Sequence, residues 1–314
     1  MAYAFDPHDG TLDQSLRRIA TEELSAAAVR CGRLHDPRAV HGVRKNLKKT
    51  RALLRLVRYG LPERSAANGT LRKLAAALSV RRDTAVRLAT FDRLFPAPPP
   101  MLRVLRARLL EESMVPVDVP AEGLVQSLAT LRDEAGAWQL RGKSRQILAA
   151  GLARTRRDAI AAADAARRTP DAPASIHGWR KRVKDLWYQS RLFAPVWPEL
   201  FQPLSAAADR LGEELGLHND LSVLSCYMAA LPESELPEPA RKLLATAIHD
   251  AQTAIKARAL PLSDRLLAGS PRGVARLWVE LHGIWRQGAR PAPADNPAQS
   301  GGTARLPPPD RSRT

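Results

Sequence analysis

The chain has 314 residues, 45% hydrophobic and 5% aromatic, a balance that is enough to bury one large core or two small ones and favours helices over a sandwich or barrel. Lys and Arg number 49 against 32 Asp and Glu, a net charge of +17 that makes an acidic partner the first expectation. The two cysteines, Cys31 and Cys226, lack metal-ligand spacing, so neither a disulfide framework nor a cysteine zinc site is indicated, and no stretch of about 18 apolar residues offers a membrane span. The opening "MAYAFDPHDG" lacks the basic and apolar regions of a signal peptide, and the expectation is a soluble cytoplasmic protein with no membrane association.

Helix-period patterning runs along the chain, punctuated by proline and glycine. A first helix is predicted from Leu12 to Leu34. "HDPRAV" ends it and starts the next, with Asp36 as N-cap and Pro37 at the first helical position, where its missing N–H costs nothing. Further helices are predicted near 70–80, 82–95, 101–112, 122–140, 143–168, 203–216, 219–230, 239–259 and 271–287, and Pro173 opens a helix between the fifth and sixth of these. No segment alternates with period two for long enough to suggest a sheet. "PAPPPM" and "VPVDVPAEG" read as linkers, and the tail 289–314, rich in Pro, Gly, Ala and Ser, reads as disordered.

The chain repeats itself. "VHGVRKNLKK" at 40–49 returns 136 residues later as "IHGWRKRVKD" at 176–185, with histidine, glycine, arginine and two lysines in the same places. Five of the nine lysines (Lys45, Lys48, Lys49, Lys181, Lys184) lie in these two copies. "LAAALSVRRDTAV" (74–86) lines up with "LGEELGLHNDLSV" (211–223) at a shift of 137, pairing Asp83 with Asp220. The expectation is a duplicated helical bundle, with a first repeat over about 12–114 and a second over about 143–287.

On a helical wheel His41, Arg44, Lys45, Lys48, Arg51 and Arg55 fall within about 120° of arc, while Val40, Val43, Leu47, Leu54 and Val57 gather on another face. His177, Arg180, Lys181, Lys184 and Arg191 repeat the stripe, with Ile176, Trp179, Val183, Leu186 and Phe193 on the apolar side. Like charges along one helix edge repel, and segment 40–58 holds seven basic residues and no acidic one. A polyanion would relieve that repulsion, its phosphate oxygens accepting hydrogen bonds from guanidinium forks and ammonium groups. A merely basic, solvated surface is the alternative.

The helices "VHGVRKNLKKTRALLRL" and "IHGWRKRVKDLWYQSRL", with the later "RRDTAV" and "LGLHNDLSVL", resemble the CHAD family, the conserved-histidine α-helical domain, over residues 12–287. The resemblance implies an all-α fold of two pseudo-symmetric four-helix-bundle halves around a basic central cavity. It also implies binding of inorganic polyphosphate, in some members at polyphosphate granules. No cofactor and no metal are expected. Carried over position by position, the phosphate-facing residues fall on His41, Arg44, Lys45, Lys48, Arg51, Arg55, His177, Arg180, Lys181, Lys184 and Arg191. "GLARTRRDA" resembles the family's basic first helix and adds Arg154 and Arg157. The second copy departs at Asp185 and Trp187, where the first has Lys49 and Arg51, which implies a weaker hold on phosphate in that half.

An enzyme is not expected: no ExExK signature and no Walker loop occur, "ESELP" at 233–237 being the nearest approach to the first. Each motif histidine reads either as an N–H donor to phosphate near a helix start or as a structural residue. His218 reads as structural, Asp83 and Asp220 as arginine partners or caps, and Trp179 and Trp187 as packing residues. Nucleic acid is the main alternative ligand, though no aromatic side chains for base stacking interrupt the stripes. A scaffold for acidic partner proteins is the third reading.

Overall fold

The computed structural model describes residues 3–78, 80–115, 121–169 and 172–289. The tail expected to be disordered lies outside them, except for Ala289. Among the described residues there is no strand; the order is α1 (Leu12–Cys31), α2 (Pro37–Leu56), α3 (Arg64–Ala77), α4 (Val80–Leu94), a 3-10 turn at Pro100–Leu102, α5 (Arg103–Met114), α6 (Ala121–Gly136), α7 (Ser144–Arg168), α8 (Pro173–Phe193), α9 (Pro198–Ala229), α10 (Glu238–Leu267) and α11 (Pro271–Gly288). The all-α class expected from composition and period is the one found.

Local chemistry explains several boundaries. Thr11 caps α1 in a reciprocal box: the Gln14 N–H donates to Thr11 Oγ1 at 3.2 Å and the Thr11 N–H to Gln14 Oε1 at 2.9 Å. Asp36 caps α2 as expected, its Oδ1 accepting from the Arg38 N–H at 2.8 Å with Pro37 in the first turn.

The helices divide the apolar core into three clusters. The first lies among α1, α2, α3 and α6, with Leu16, Leu47, Leu71 and Leu128, and the end of α8 and α11 add Phe193 and Trp278. The second joins α7, α8, the first half of α9 and the end of α10 through Ala159, Trp179, Leu211 and Leu266. The third joins α4 and α5 to the second half of α9 and the start of α10 through Phe91, Leu109, Leu224 and Leu244.

Two predicted breaks do not occur. Helices expected at 203–216 and 219–230 are the single α9. Gly216, Asn219 and Asp220 look like a stop, but Leu211 and Leu215 are buried in one cluster and Leu221 and Leu224 in the next, so packing on both sides carries the helix through. The helix expected to end at 259 runs to Leu267 past Pro261, because Ala259, Leu266 and Leu267 continue one buried face.

Two close approaches set α2 beside α7 and α8. A Cβ on Gly151 of α7 would overlap the carbonyl oxygen of Leu56, so the two helices touch backbone to backbone there. The motif helices run in opposite directions: Arg55 meets Asp185, while the Lys49 carbonyl accepts from the hydroxyl of Tyr3, whose ring packs on Tyr188.

Candidate functional site

Because α2 and α8 cross antiparallel with α9 alongside, part of each basic stripe opens onto one cavity of about 650 Å³. Its lining takes His41, Arg44, Lys45 and Lys48 from α2, Arg180, Lys184, Trp187 and Tyr188 from α8, and Arg93 from α4. From α9 come Asp209, Arg210, Glu213, Glu214, Gly216, Leu217 and Asp220. Seven lysine and arginine side chains thus face four carboxylates across a partly enclosed space, where low-dielectric walls strengthen the excess positive field.

Glycines on α9 make room for the cations of α8. A Cβ on Gly212 would stand 2.7 Å from Lys184 Cε, and one on Gly216 would stand 3.1 Å from Arg180 Nε. The i, i+4 spacing puts both glycines on one side of the helix, a seat for two long side chains. Lys184 ends among carboxylates: its ammonium donates to Asp209 Oδ1 at 3.0 Å and Glu213 Oε1 at 2.7 Å, and sits 4.3 Å from the centre of the Trp187 ring. Burial alone would raise the Glu213 carboxyl; the Lys184 hydrogen bond and the Lys184, Arg180 and His41 charges outweigh it and hold that carboxyl below the usual range. On the α2 side, Arg44 Nη1 donates to the Ala75 carbonyl at 3.1 Å, which ties the first stripe to α3.

A second group of cations gathers around Asp185 of α8. Arg55 Nη1 donates to Asp185 Oδ1 at 2.8 Å, Arg182 Nη1 lies 3.2 Å from Oδ2, and Arg51 Nε donates to Asn68 Oδ1 at 3.1 Å. Burial, with repulsion from Arg55, pushes Arg51 down to about 10. Burial also lowers Arg55 and Lys181, and Lys181 is lowered further by Arg182, Arg51, Arg55 and Arg72. Burial is the larger cause of these shifts and repulsion among the cations adds to it, while Asp185 offsets part of that repulsion at Arg51 and Arg55.

Six of the thirteen predicted residues therefore meet at the cavity: His41, Arg44, Lys45, Lys48, Arg180 and Lys184. Arg51, Arg55 and Lys181 belong to the Asp185 group instead. His177 is half-buried outside the cavity lining, and Arg191 lies 5.3 Å from the Trp187 ring centre. Arg154 and Arg157 are exposed on α7, and Arg154 Nε donates to Asp158 Oδ1 at 2.7 Å.

Arg93, Asp209, Arg210, Glu213 and Glu214 were missed; of these only Glu213 and Glu214 lie in the segment 211–223 that matches 74–86. Trp187, read as a packing residue, lines the cavity between two cations. Asp220 also lines it, while the side chain of Asp83 lies outside the described residues. His218 is buried; burial and then Lys256 push it down to about 4, so it is neutral. Among the described residues no cluster of His, Cys, Asp and Glu could hold a metal ion, and no helix is long and apolar enough to cross a membrane.

The family model described as the CHAD domain matches residues 11–229. The chain belongs to the CHAD family. Every cavity-lining residue lies within that match, whereas α10 and α11 lie beyond it. The crystal structure of the CHAD domain from the plant Ricinus communis is similar in fold, with a TM-score of 0.57 at 21% identity over 89% of this chain and 95% of that one. No curated protein matches the chain.

Proposed function

We propose that this CHAD protein binds inorganic polyphosphate without chemical turnover, through the basic stripes of two duplicated helices. The cavity carries the reading: His41, Arg44, Lys45 and Lys48 of α2 and Arg180 and Lys184 of α8, 136 residues apart in register, line one space. A chain of phosphates carries about one charge per unit, so it satisfies several cations at once and its affinity falls steeply with salt as counterions are released. Arg51, Arg55 and Lys181 extend the same charge along the two helices, so that a long chain has more than one place to rest. His41, at the start of α2, supplies an N–H near a positive helix end. Such binding would bring the protein to polyphosphate granules in the cytoplasm.

The test is competition between long-chain polyphosphate and double-stranded DNA for the purified protein at about 150 mM salt. Polyphosphate is expected to displace DNA at lower concentrations of phosphate units. DNA binding as tight or tighter would assign the site to nucleic acid. Binding of neither would leave the stripes to an acidic protein partner.

A further inference from the structure

Position 185 is the one place in the second motif helix where a cation of the first copy, Lys49, is replaced by an acid. Asp185 is 5% exposed. One of its oxygens accepts from Arg55 at 2.8 Å, and the other lies 3.2 Å from Arg182 without forming a hydrogen bond. The charges that reach it come from Arg51 and Arg55 on α2, Arg58 in the turn after it and Arg182 on α8. Arg72 on α3 and Lys181 belong to the same network, and Tyr3 lies close enough to sense the carboxylate. Four arginines thus act on one buried acid, and of these Arg58 is shared with Asp158 at 3.4 Å.

A carboxylate between two guanidinium groups presents them with the same kind of oxygen pair that a phosphate unit would. Burying that charge is costly, and the matching position of α2 carries a cation instead, Lys49, itself paired with Glu23 at 2.6 Å. We infer that Asp185 is an internal counter-anion that competes with a bound polyphosphate for Arg55 and Arg182 and so sets the affinity of this half of the site. The inference rests on the polyphosphate reading. Arg51, Lys181 and Arg72 would then be the cations that the ligand engages in this group, while Arg55 and Arg182 stay on Asp185 until a longer or more highly charged chain displaces it.

The test compares the full chain with its Asp185→Asn variant, titrated calorimetrically with long-chain polyphosphate over a salt series. Asp264→Asn serves as the control, because it removes the same charge from an exposed ion pair with Arg167. The Asp185 variant is expected to bind about tenfold more tightly at about 100 mM salt, with log K against log salt steeper by about one to two, and the control to change less than about twofold. Unchanged or weaker binding with helicity intact overturns the inference, as does an equal gain in the control. If wild type binds DNA in preference to polyphosphate, the proposed function falls, and the same three proteins titrated with DNA still decide whether Asp185 competes.

Should the variant fail to fold, acidification of a His41→Asn/His177→Asn background, which removes the motif imidazoles, replaces it. Burial raises the Asp185 carboxyl, so it is neutralised ahead of ordinary carboxylates as pH falls. Binding is then expected to tighten as pH falls, before ordinary carboxylates take up protons, and a flat response overturns the inference.

Discussion

Gly216 lies against the guanidinium of Arg180, so close that a Cβ would come within 3.1 Å of Nε, and one turn earlier Gly212 stands in the same relation to Lys184. In both cases the obstacle is the far end of a flexible side chain, so the helix can accept alanine while the cation moves. Alanine also removes the entropic penalty of glycine in a helix interior, about 1 kcal/mol per site. Gly212→Ala/Gly216→Ala is therefore expected to melt no earlier than wild type, while its affinity for polyphosphate falls about fivefold, roughly 1 kcal/mol. Parallel thermal melts and binding titrations check this. A loss of stability with binding intact would mean that the glycines serve packing alone.

Arg44 and Lys48 lie off the apolar face of α2 and line the cavity. Arg44→Ala/Lys48→Ala should keep its helical circular dichroism and bind polyphosphate more weakly, with the salt slope reduced by about 1.4, or 0.7 for each cation removed, as for a single-stranded polyanion. A change in helicity would show the pair to be structural instead.

Much of this was legible in the sequence. The wheel separated the faces of α2 correctly, since Val40, Val43, Leu47, Leu54 and Val57 are all buried. Asp36 and Pro37 announced the start of α2 because capping depends on neighbouring residues only. What a wheel does not carry is the identity of the helix opposite. Lys184 and Arg55 sit within about 20° of the same angle on their helices, yet one meets Asp209 and Glu213 of α9 and the other meets Asp185 across 130 residues. Arg154 shares the basic character of the stripes, but its helix presents it to solvent and to Asp158. The continuity of α9 was hidden for the same reason: burial in two separate clusters outweighs local break signals.

The carboxylates of α9 make a prediction of opposite sign to the alanine pair. Glu213 holds Lys184 at 2.7 Å and stays ionised through neutral pH, because Lys184 and nearby charges outweigh the cost of its burial. Glu213→Gln keeps the shape and removes one negative charge from the cavity wall. Affinity for polyphosphate should rise about threefold at low salt, and the gain should shrink as salt screens the exposed rim.

Gly151 bears on the scaffold rather than on the ligand. The atom that a new Cβ would strike is the backbone oxygen of Leu56, which cannot swing aside as a side chain does. Gly151→Ala must separate α7 from α2, with an overpacking cost of about 3 kcal/mol. Chemical denaturation should show the midpoint moving to lower denaturant, and an unchanged midpoint would mean that the two backbones are not in contact.

The acid limit of the fold should depend on two buried histidines that do not line the cavity. His282 packs among Phe5, Phe193 and Trp285 at centroid distances of 4.9, 5.8 and 5.8 Å. Burial, then the Arg286 charge, push it down to about 4; burial and Lys256 do the same to His218. A histidine whose folded pKa is depressed stabilises the fold fully above its unfolded value, near 6.5, and loses that contribution as pH falls toward 4, because the unfolded chain takes up the proton first. Between about pH 7 and 4.5 each site should cost on the order of 2 kcal/mol. His282→Phe keeps the ring packing and removes the proton site, so its stability should fall less than that of wild type over the same interval by about that amount. Urea midpoints at the two pH values decide it, and parallel declines in the two proteins would show that His282 is already protonated in the fold or reaches solvent.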